Sequence, residues 1–321
     1  MKLLDVKNLK TYFETKNGLV KAVDDVSFSL DYGKAVGIAG ESGCGKTTTA
    51  LSITKLLPEN AKIFGGEIFL EQEDLLKLDD VSLRKKRWKD ISIIFQGAMN
   101  ALNPVMRIGE QIAEVIVLHE GLTFNQGLKR AEELFSLVEI KSDRIRSYPH
   151  EFSGGMKQRA MIAMALACNP KIIIGDEPTT ALDVMVQAQI LDLIDKLRKE
   201  FKMGFILITH DLSILGETCD DLIIMYAGKI VEKGSIEDIF NNAAHPYTMK
   251  LLKSFPDIHG EKVISPAIPG FPPNLLSLPT GCKFHPRCEH AVERCRIEEP
   301  ELRRISDNHF VSCHFGGIYH E

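Results

Sequence analysis

The chain has 321 residues, 44% of them hydrophobic and 26% charged, with a formal net charge of -5. That length holds one large domain with an appendage or two domains, and the composition is ordinary for a soluble globular protein. The mild acidity excludes a protein that grips nucleic acid over its whole surface, and the basic run RKKRWK at 84–89 is read as a solvated helix face.

The first ten residues, MKLLDVKNLK, are broken by charges too early for a signal peptide. No apolar run approaches the roughly 20 residues of a membrane span. The expectation is a cytosolic protein that meets a membrane only through a partner.

The first thirty residues read as strands, with VSFSL (Val26–Leu30) alternating at the period of a half-buried strand. KAVGIAG is a short apolar run ending in glycine, as in a parallel strand buried on both faces. A helix-like stretch follows to Leu57 and is closed by Pro58. GEIFLE and ISIIFQ are further strands. From Gly97 to Ala167 the pattern is helical, with GEQIAEVIVLH and RAEELFSLV and no convincing strand. Strands return as KIIIGDE and GFILITH, with the helical VQAQILDLIDKLRKEF between them, and DLIIMYAGKIVEKG reads as a hairpin turning at Ala227–Gly228. Strand-helix-strand alternation predicts an α/β core with a mostly parallel sheet. Beyond Phe240 the composition shifts, and SPAIPGFPPNLLSLP is read as an irregular, proline-rich linker. The expected division is therefore 1–240, with a helical lobe at about 97–167, and a C-terminal extension at 241–321.

GESGCGKT, from Gly40 to Thr47, fits G-x-x-x-x-G-K-[ST] in full and sits between an apolar strand and a helix. Its glycines let backbone N–H groups turn toward phosphate oxygens, and the helix start adds partial positive charge. The nucleotide-binding candidates are Gly40, Glu41, Ser42, Gly43, Cys44, Gly45, Lys46, Thr47 and Thr48. Lys46 would reach the β- and γ-phosphates and Thr47 would ligate Mg²⁺. Asp176, ending the strand of KIIIGDE, would hold the metal from the acid side. Glu177 follows at the strand end, where a turn of the chain lets it face the γ-phosphate as general base. ITHD ends the next strand and puts His210 on the same carboxyl edge, which is the ligand edge of such sheets. EFSGGMKQR, with Ser153, Gly154 and Gly155 before a helix start, is a second phosphate cradle. A protein with one nucleotide has no obvious use for two.

In order, GESGCGKT, IIFQ, EFSGGMKQR, KIIIGDEP, TALD and ITHD resemble the ATP-binding-cassette (ABC) ATPases over about the first 240 residues. The resemblance implies a RecA-like, mostly parallel sheet with an antiparallel β lobe and a helical lobe. It also implies that two cassettes pack head to tail, so that the second cradle serves the nucleotide of a neighbour. By the same resemblance Gln96 would contact the γ-phosphate and Mg²⁺, Asp183 would cross the dimer interface, and Tyr12 would stack on adenine, with Phe13 as runner-up. A narrower set, FQGAMNALNPVMRIGEQIAE, YPHEFSGGMKQR, DEPTTALDV, HPYTMKLL and PGFPPNLLSLPTGCKFHPRC, resembles the ATPase subunits of oligopeptide and dipeptide importers along almost the whole chain. Gly97 and Ala98 depart from the acidic-proline pair commoner there. This implies an ATP-hydrolysing subunit that drives peptide uptake at the cytoplasmic membrane face. Its partners would be a second cassette, identical or related, two membrane permease subunits and an external binding protein. Met99–Glu114 would help form the groove for a permease helix. The alternatives are another cargo, such as oligosaccharides, a soluble non-transport ABC ATPase, or a cassette that regulates without hydrolysing.

Of seven cysteines, four crowd the last forty residues: Cys282, Cys288, Cys295 and Cys313. In a reducing compartment such a cluster points to a metal before disulfides. The spacing C-x5-C-x6-C-x17-C has neither the C-x2-C knuckle of structural zinc sites nor the common ferredoxin run. His285, His290, His309 and His314 lie nearby as substitute ligands or plain surface residues. The importer resemblance implies a [4Fe–4S] cluster on the four cysteines, with Zn²⁺ next and disulfides last.

Overall fold

Alternating apolar residues make the first thirty residues into two long strands. The computed structural model describes residues 2–97, 101–180, 182–254 and 268–316. Its strands are β1 (Lys2–Thr15), β2 (Gly18–Asp31), β3 (Ala35–Ala39), β4 (Ala61–Leu70), β5 (Glu73–Asp74), β6 (Ile91–Ile94), β7 (Ile172–Asp176), β8 (Gly204–Ile208), β9 (Asp221–Tyr226), β10 (Lys229–Ser235), β11 (Arg303–Ser306) and β12 (His309–Val311). Its helices are α1 (Lys46–Thr54), α2 (Asp80–Lys86), α3 (Ile108–Glu120), α4 (Phe124–Leu137), α5 (Gly154–Ala165), α6 (Val184–Phe201), α7 (Leu212–Thr218), α8 (Ile236–Asn242), α9 (Pro246–Lys253) and α10 (Glu293–Ile297).

The chain divides into two compact units, each assembled from separated segments, and these cut across position 240. The first holds residues 1–3, 30–34 and 74–208. Here β6 and β8 flank β7 in parallel, with Ile91 opposite Ile172 and Asp176 opposite Ile208. Every residue of β7 and β8 is buried, which explains their unbroken apolar sequence. The region from 101 to 167 is helical among the described residues, as its periodicity predicts. Thr123 opens α4 with a capping box to Gln126, and Gly127 lets α4 approach the backbone of Ala113 in α3 closely.

The second unit holds residues 4–29, 35–73 and 209–321. It contains an antiparallel layer in the order β2-β1-β4, and a second sheet in the order β11-β12-β10-β9-β3. In that second sheet β3 runs parallel to β9, and β9 and β10 form the expected hairpin. Ala227 (φ 49°) and Gly228 (φ 82°) make its turn. The end of the chain is tied into the same sheet, because β12 pairs with β10. The fully buried Glu232 carboxylate of β10 reinforces this tie. It accepts hydrogen bonds from the amides of Ala244 (2.6 Å) and His245 (3.0 Å) and lies 2.7 Å from Nε2 of His309. Residues 268–280 contain no helix or strand, in line with the proline-rich composition, and 265–267 of that stretch lie outside the described residues.

Candidate active site and cysteine pocket

In the second unit the phosphate loop joins β3 to α1. Gly40 and Gly45 take φ of 149° and 108°. A Cβ at Gly40 would run into the carbonyl of Met225, and one at Gly45 into that of Ala22. Only glycine satisfies both the backbone conformation and the space, so the motif spacing is dictated by geometry. Ser42, Gly43 and Thr47 are exposed at the mouth of the cradle, and Lys46 is buried. The Lys46 ammonium donates to the carbonyls of Gly40 (2.7 Å) and Glu41 (3.1 Å), which holds its charge inside the loop. Thr48 is half-buried on the first turn of α1. Burial pushes the Cys44 thiol up, against the pull of the Lys46 charge, so it is a neutral packing residue.

In the first unit, buried Asp176 ends β7 and Glu177 leaves the strand in a left-handed conformation, φ 46°. Its amide donates to the carbonyl of Ile208 at 2.8 Å. A non-glycine residue in that region costs on the order of 1 kcal/mol or more, and such strain gathers at functional sites. The kink brings the carboxylate to Gln96, whose Nε2 donates to Oε2 at 2.8 Å, while Thr180 donates to the same oxygen at 3.1 Å. The candidate base and Gln96 therefore meet in one exposed group, and Thr180 is a partner that sequence reasoning missed. His210 follows β8 as an exposed residue of the second unit.

Ser153 is the N-cap of α5, its hydroxyl accepting from the Met156 amide at 3.3 Å. The helix-capping role and the phosphate role are compatible, since an oxygen that accepts from an amide still has its own proton to donate. Ser153 and Gly154 are exposed, and Gly155 sits where a Cβ would come within 2.8 Å of Val186. Asp183 caps α6, accepting from the Val186 amide at 3.0 Å, and is exposed. Ala181 of TALD, Ala98, and Met99 and Asn100 of the expected permease groove lie outside the described residues. Within the rest of that segment Val105 is 80% exposed.

The two residues expected at the adenine platform differ in exposure. Tyr12 is buried, its ring stacked on Phe64 at 4.9 Å and its hydroxyl donating to Asp24 at 2.6 Å. Burial, and then that bond to Asp24, push the phenol above its usual range. Adjacent residues of a strand face opposite ways, and Phe13 is the half-buried one.

All seven cysteines are free thiols. Cys282, Cys288, Cys295 and Cys313 line one pocket of the second unit, together with Phe284 and Phe315. Among the described residues no group of three or more His, Cys, Asp or Glu side chains is gathered for a single metal ion. The thiols nonetheless sense one another. Burial, opposed by the Phe284 amide, and then the thiols of Cys313, Cys295 and Cys288 push Cys282 up to about 11. His245, His285, His290 and His314 also line the pocket. His309 is not among the lining residues; it is buried against Glu232. Burial lowers His245 to about 4, and its Nδ1 accepts from the Tyr247 amide at 3.0 Å, so a neutral ring carries its proton on Nε2.

The family described as "ABC transporter" matches residues 23–180, and "Oligopeptide/dipeptide transporter, C-terminal region" matches 231–295. The oligopeptide transport ATP-binding protein OppD of Haemophilus influenzae is 46% identical over 97% of this chain and 96% of its own. OppD of Escherichia coli is 45% identical over 97% of this chain and 92% of its own. Among solved structures, the ATP-binding cassette MJ0796 in a dimeric post-hydrolysis state bound to ADP and Pi superposes with a TM-score of 0.65 at 29% identity, covering 73% of this chain and 98% of its own. The Clostridium perfringens cassette cbiO1, from a cbiONQ transporter complex, gives 0.64 at 25% identity, covering 75% and 91%.

Proposed function

The chain belongs to the ATP-binding-cassette transporter ATPases, in their oligopeptide/dipeptide branch, and from this premise we propose that it drives peptide import by binding and hydrolysing ATP between two cassettes. The observation that carries the peptide assignment is 45–46% identity to oligopeptide transport ATP-binding proteins over 97% of the chain. Among the described residues no helix is long and apolar enough to cross a membrane, so in this proposal permease subunits supply the path. The chain would sit against them on the cytoplasmic face.

In the proposed division of labour, residues 1–240 handle the nucleotide and 241–321 form an extension. Gly40–Thr48 cradle the phosphates, Lys46 answers the β- and γ-phosphates, and Thr47, Asp176 and Gln96 hold Mg²⁺. The cation would supply Lewis-acid stabilisation of the transferred phosphoryl group. Glu177 accepts the proton of the attacking water, and His210 contacts the γ-phosphate. Ser153, Gly154 and Gly155 complete a neighbour's pocket, with Asp183 at the interface between cassettes. Phe13 replaces Tyr12 as the adenine platform, because Tyr12 is committed to Asp24 and Phe64. Residues 99–114 meet a permease helix, and alanine substitutions there should separate ATP turnover from uptake.

The four cysteines are proposed to hold a [4Fe–4S] cluster, with His245 offering an N–H toward it. Such a group would supply folding energy to a short segment. Anaerobic purification should give a brown protein containing iron and acid-labile sulfide, both lost in Cys313→Ser. Stoichiometric zinc without iron would reject this. The transport proposal is tested by copurification and uptake. Two integral membrane proteins should accompany the tagged chain, and deleting the chain should abolish peptide uptake. Peptide uptake unaffected by deletion would reject it.

A further inference from the structure

Glu41 puts a carboxylate inside a loop built to hold polyphosphate. Left to itself, that charge would oppose the ligand. It is not left to itself. Arg287, 246 residues away, holds it with a two-pronged pair: Nη1 donates to Oε2 at 2.6 Å and Nη2 to Oε1 at 3.0 Å. The Arg287 side chain is only 5% exposed. Its Nε donates to the carbonyl of Pro269 at 2.8 Å, and Nη1 lies 3.3 Å from the Tyr226 hydroxyl. The guanidinium packs beside the rings of Tyr226 and Phe284. A second tie reaches the same residue, since the Glu41 amide donates to the hydroxyl of fully buried Tyr247 at 2.8 Å. Tyr226, Tyr247 and Phe284 form one aromatic cluster, with centroids 4.7 to 5.4 Å apart.

Arg287 stands directly before Cys288, on a 3-10 turn (His285–Arg287) flanked by Phe284 and Cys288, both of which line the cysteine pocket. We propose that Arg287 is a positioning residue for the nucleotide: the cysteine-bearing segment reaches back to the phosphate loop, draws the Glu41 carboxylate aside and cancels its charge. A planar, always-charged fork suits this task, and the compact ammonium of lysine does not. ATP affinity in this chain therefore depends on the segment around residue 287 as well as on the loop itself. The proposal rests on Gly40–Thr47 being the phosphate loop.

The test is equilibrium binding of a fluorescent ATP analogue to the full-length chain, with the thermal midpoint measured alongside. Arg287→Ala should weaken binding by about tenfold or more, and Arg287→Lys by nearly as much. Adding Glu41→Gln to either variant should restore affinity to within about threefold of the parent, because the opposing charge is gone. A merely structural role predicts no such rescue. Should Arg287→Ala fail to fold, Arg287→Lys with and without Glu41→Gln makes the same comparison. Unchanged affinity in the Arg287 variants, or a double variant as weak as the single, overturns the proposal. Lys46→Ala separates the two levels. If it binds nucleotide like the parent, the phosphate-loop reading itself fails. If it loses binding while the Arg287 variants keep it, only the positioning role fails.

Discussion

Replacing Glu177 by glutamine removes one thing only, the ability to take up a proton. The side chain keeps its length, and its carbonyl oxygen can still accept from Gln96 and Thr180, which now lie 2.8 and 3.1 Å from Oε2. The left-handed backbone at φ 46° is no harder for glutamine than for glutamate, so the fold should be unmoved. General-base catalysis is typically worth about 100- to 10,000-fold, or about 3–5 kcal/mol of activation free energy. Glu177→Gln should therefore cut the turnover number by that factor while ATP affinity stays at the parental value or tightens. In the proposed two-cassette arrangement hydrolysis would remove the phosphate that bridges the chains, so the variant should accumulate as an ATP-bound dimer. Phosphate release gives the rate, and size-exclusion chromatography with ATP gives the dimer. Parental turnover in the variant would show that Glu177 is not the base. A loss of ATP binding equal to the loss of rate would show that it acts on affinity instead.

Gly155→Val should destabilise the first unit by about 1–3 kcal/mol through overpacking, because the new Cβ meets Val186 at 2.8 Å; an unchanged thermal midpoint would contradict the close α5–α6 approach. Phe13→Ala should raise the Kd for ATP by about tenfold, the loss of one base stack. Tyr12→Phe should leave that Kd alone and cost about 1 kcal/mol of stability from the lost bond to Asp24, and the reverse pattern would restore Tyr12 as the platform. Glu232→Ala should cost about 3–5 kcal/mol, since it strands the buried amides of Ala244 and His245 and the ring of His309; a loss below 1 kcal/mol in denaturant titration would refute that role.

The phosphate loop was legible because its chemistry is written in backbone constraints. Gly40 and Gly45 admit no side chain, and that requirement survives in any sequence with this turn. The apolar runs of β7 and β8 were legible because burial on both faces leaves no polar alternation. The choice between Tyr12 and Phe13 was not legible for a physical reason: two adjacent aromatics on one strand face opposite ways, and their order alone does not say which faces the core. The Glu177 kink was anticipated as a turn at a strand end, but its partner Thr180 was not, since a threonine among turn residues carries no mark. Arg287 was invisible for another reason. Its meaning lies in Glu41, 246 residues away, and nothing local in HPRC points there. Composition marked a change near residue 240, but strand pairing does not respect composition, and β12 pairs with β10 across that point.

At the centre of the account lies the proposal that a second cassette completes the nucleotide pocket, which would give both phosphate cradles of one chain a use. ATP turnover per chain, followed across a dilution series of the purified protein, measures this most directly. Turnover should fall steeply as the chains separate and return when an excess of a second cassette with intact Ser153–Gly155 is added. Turnover per chain that stays constant down to the most dilute sample would contradict it.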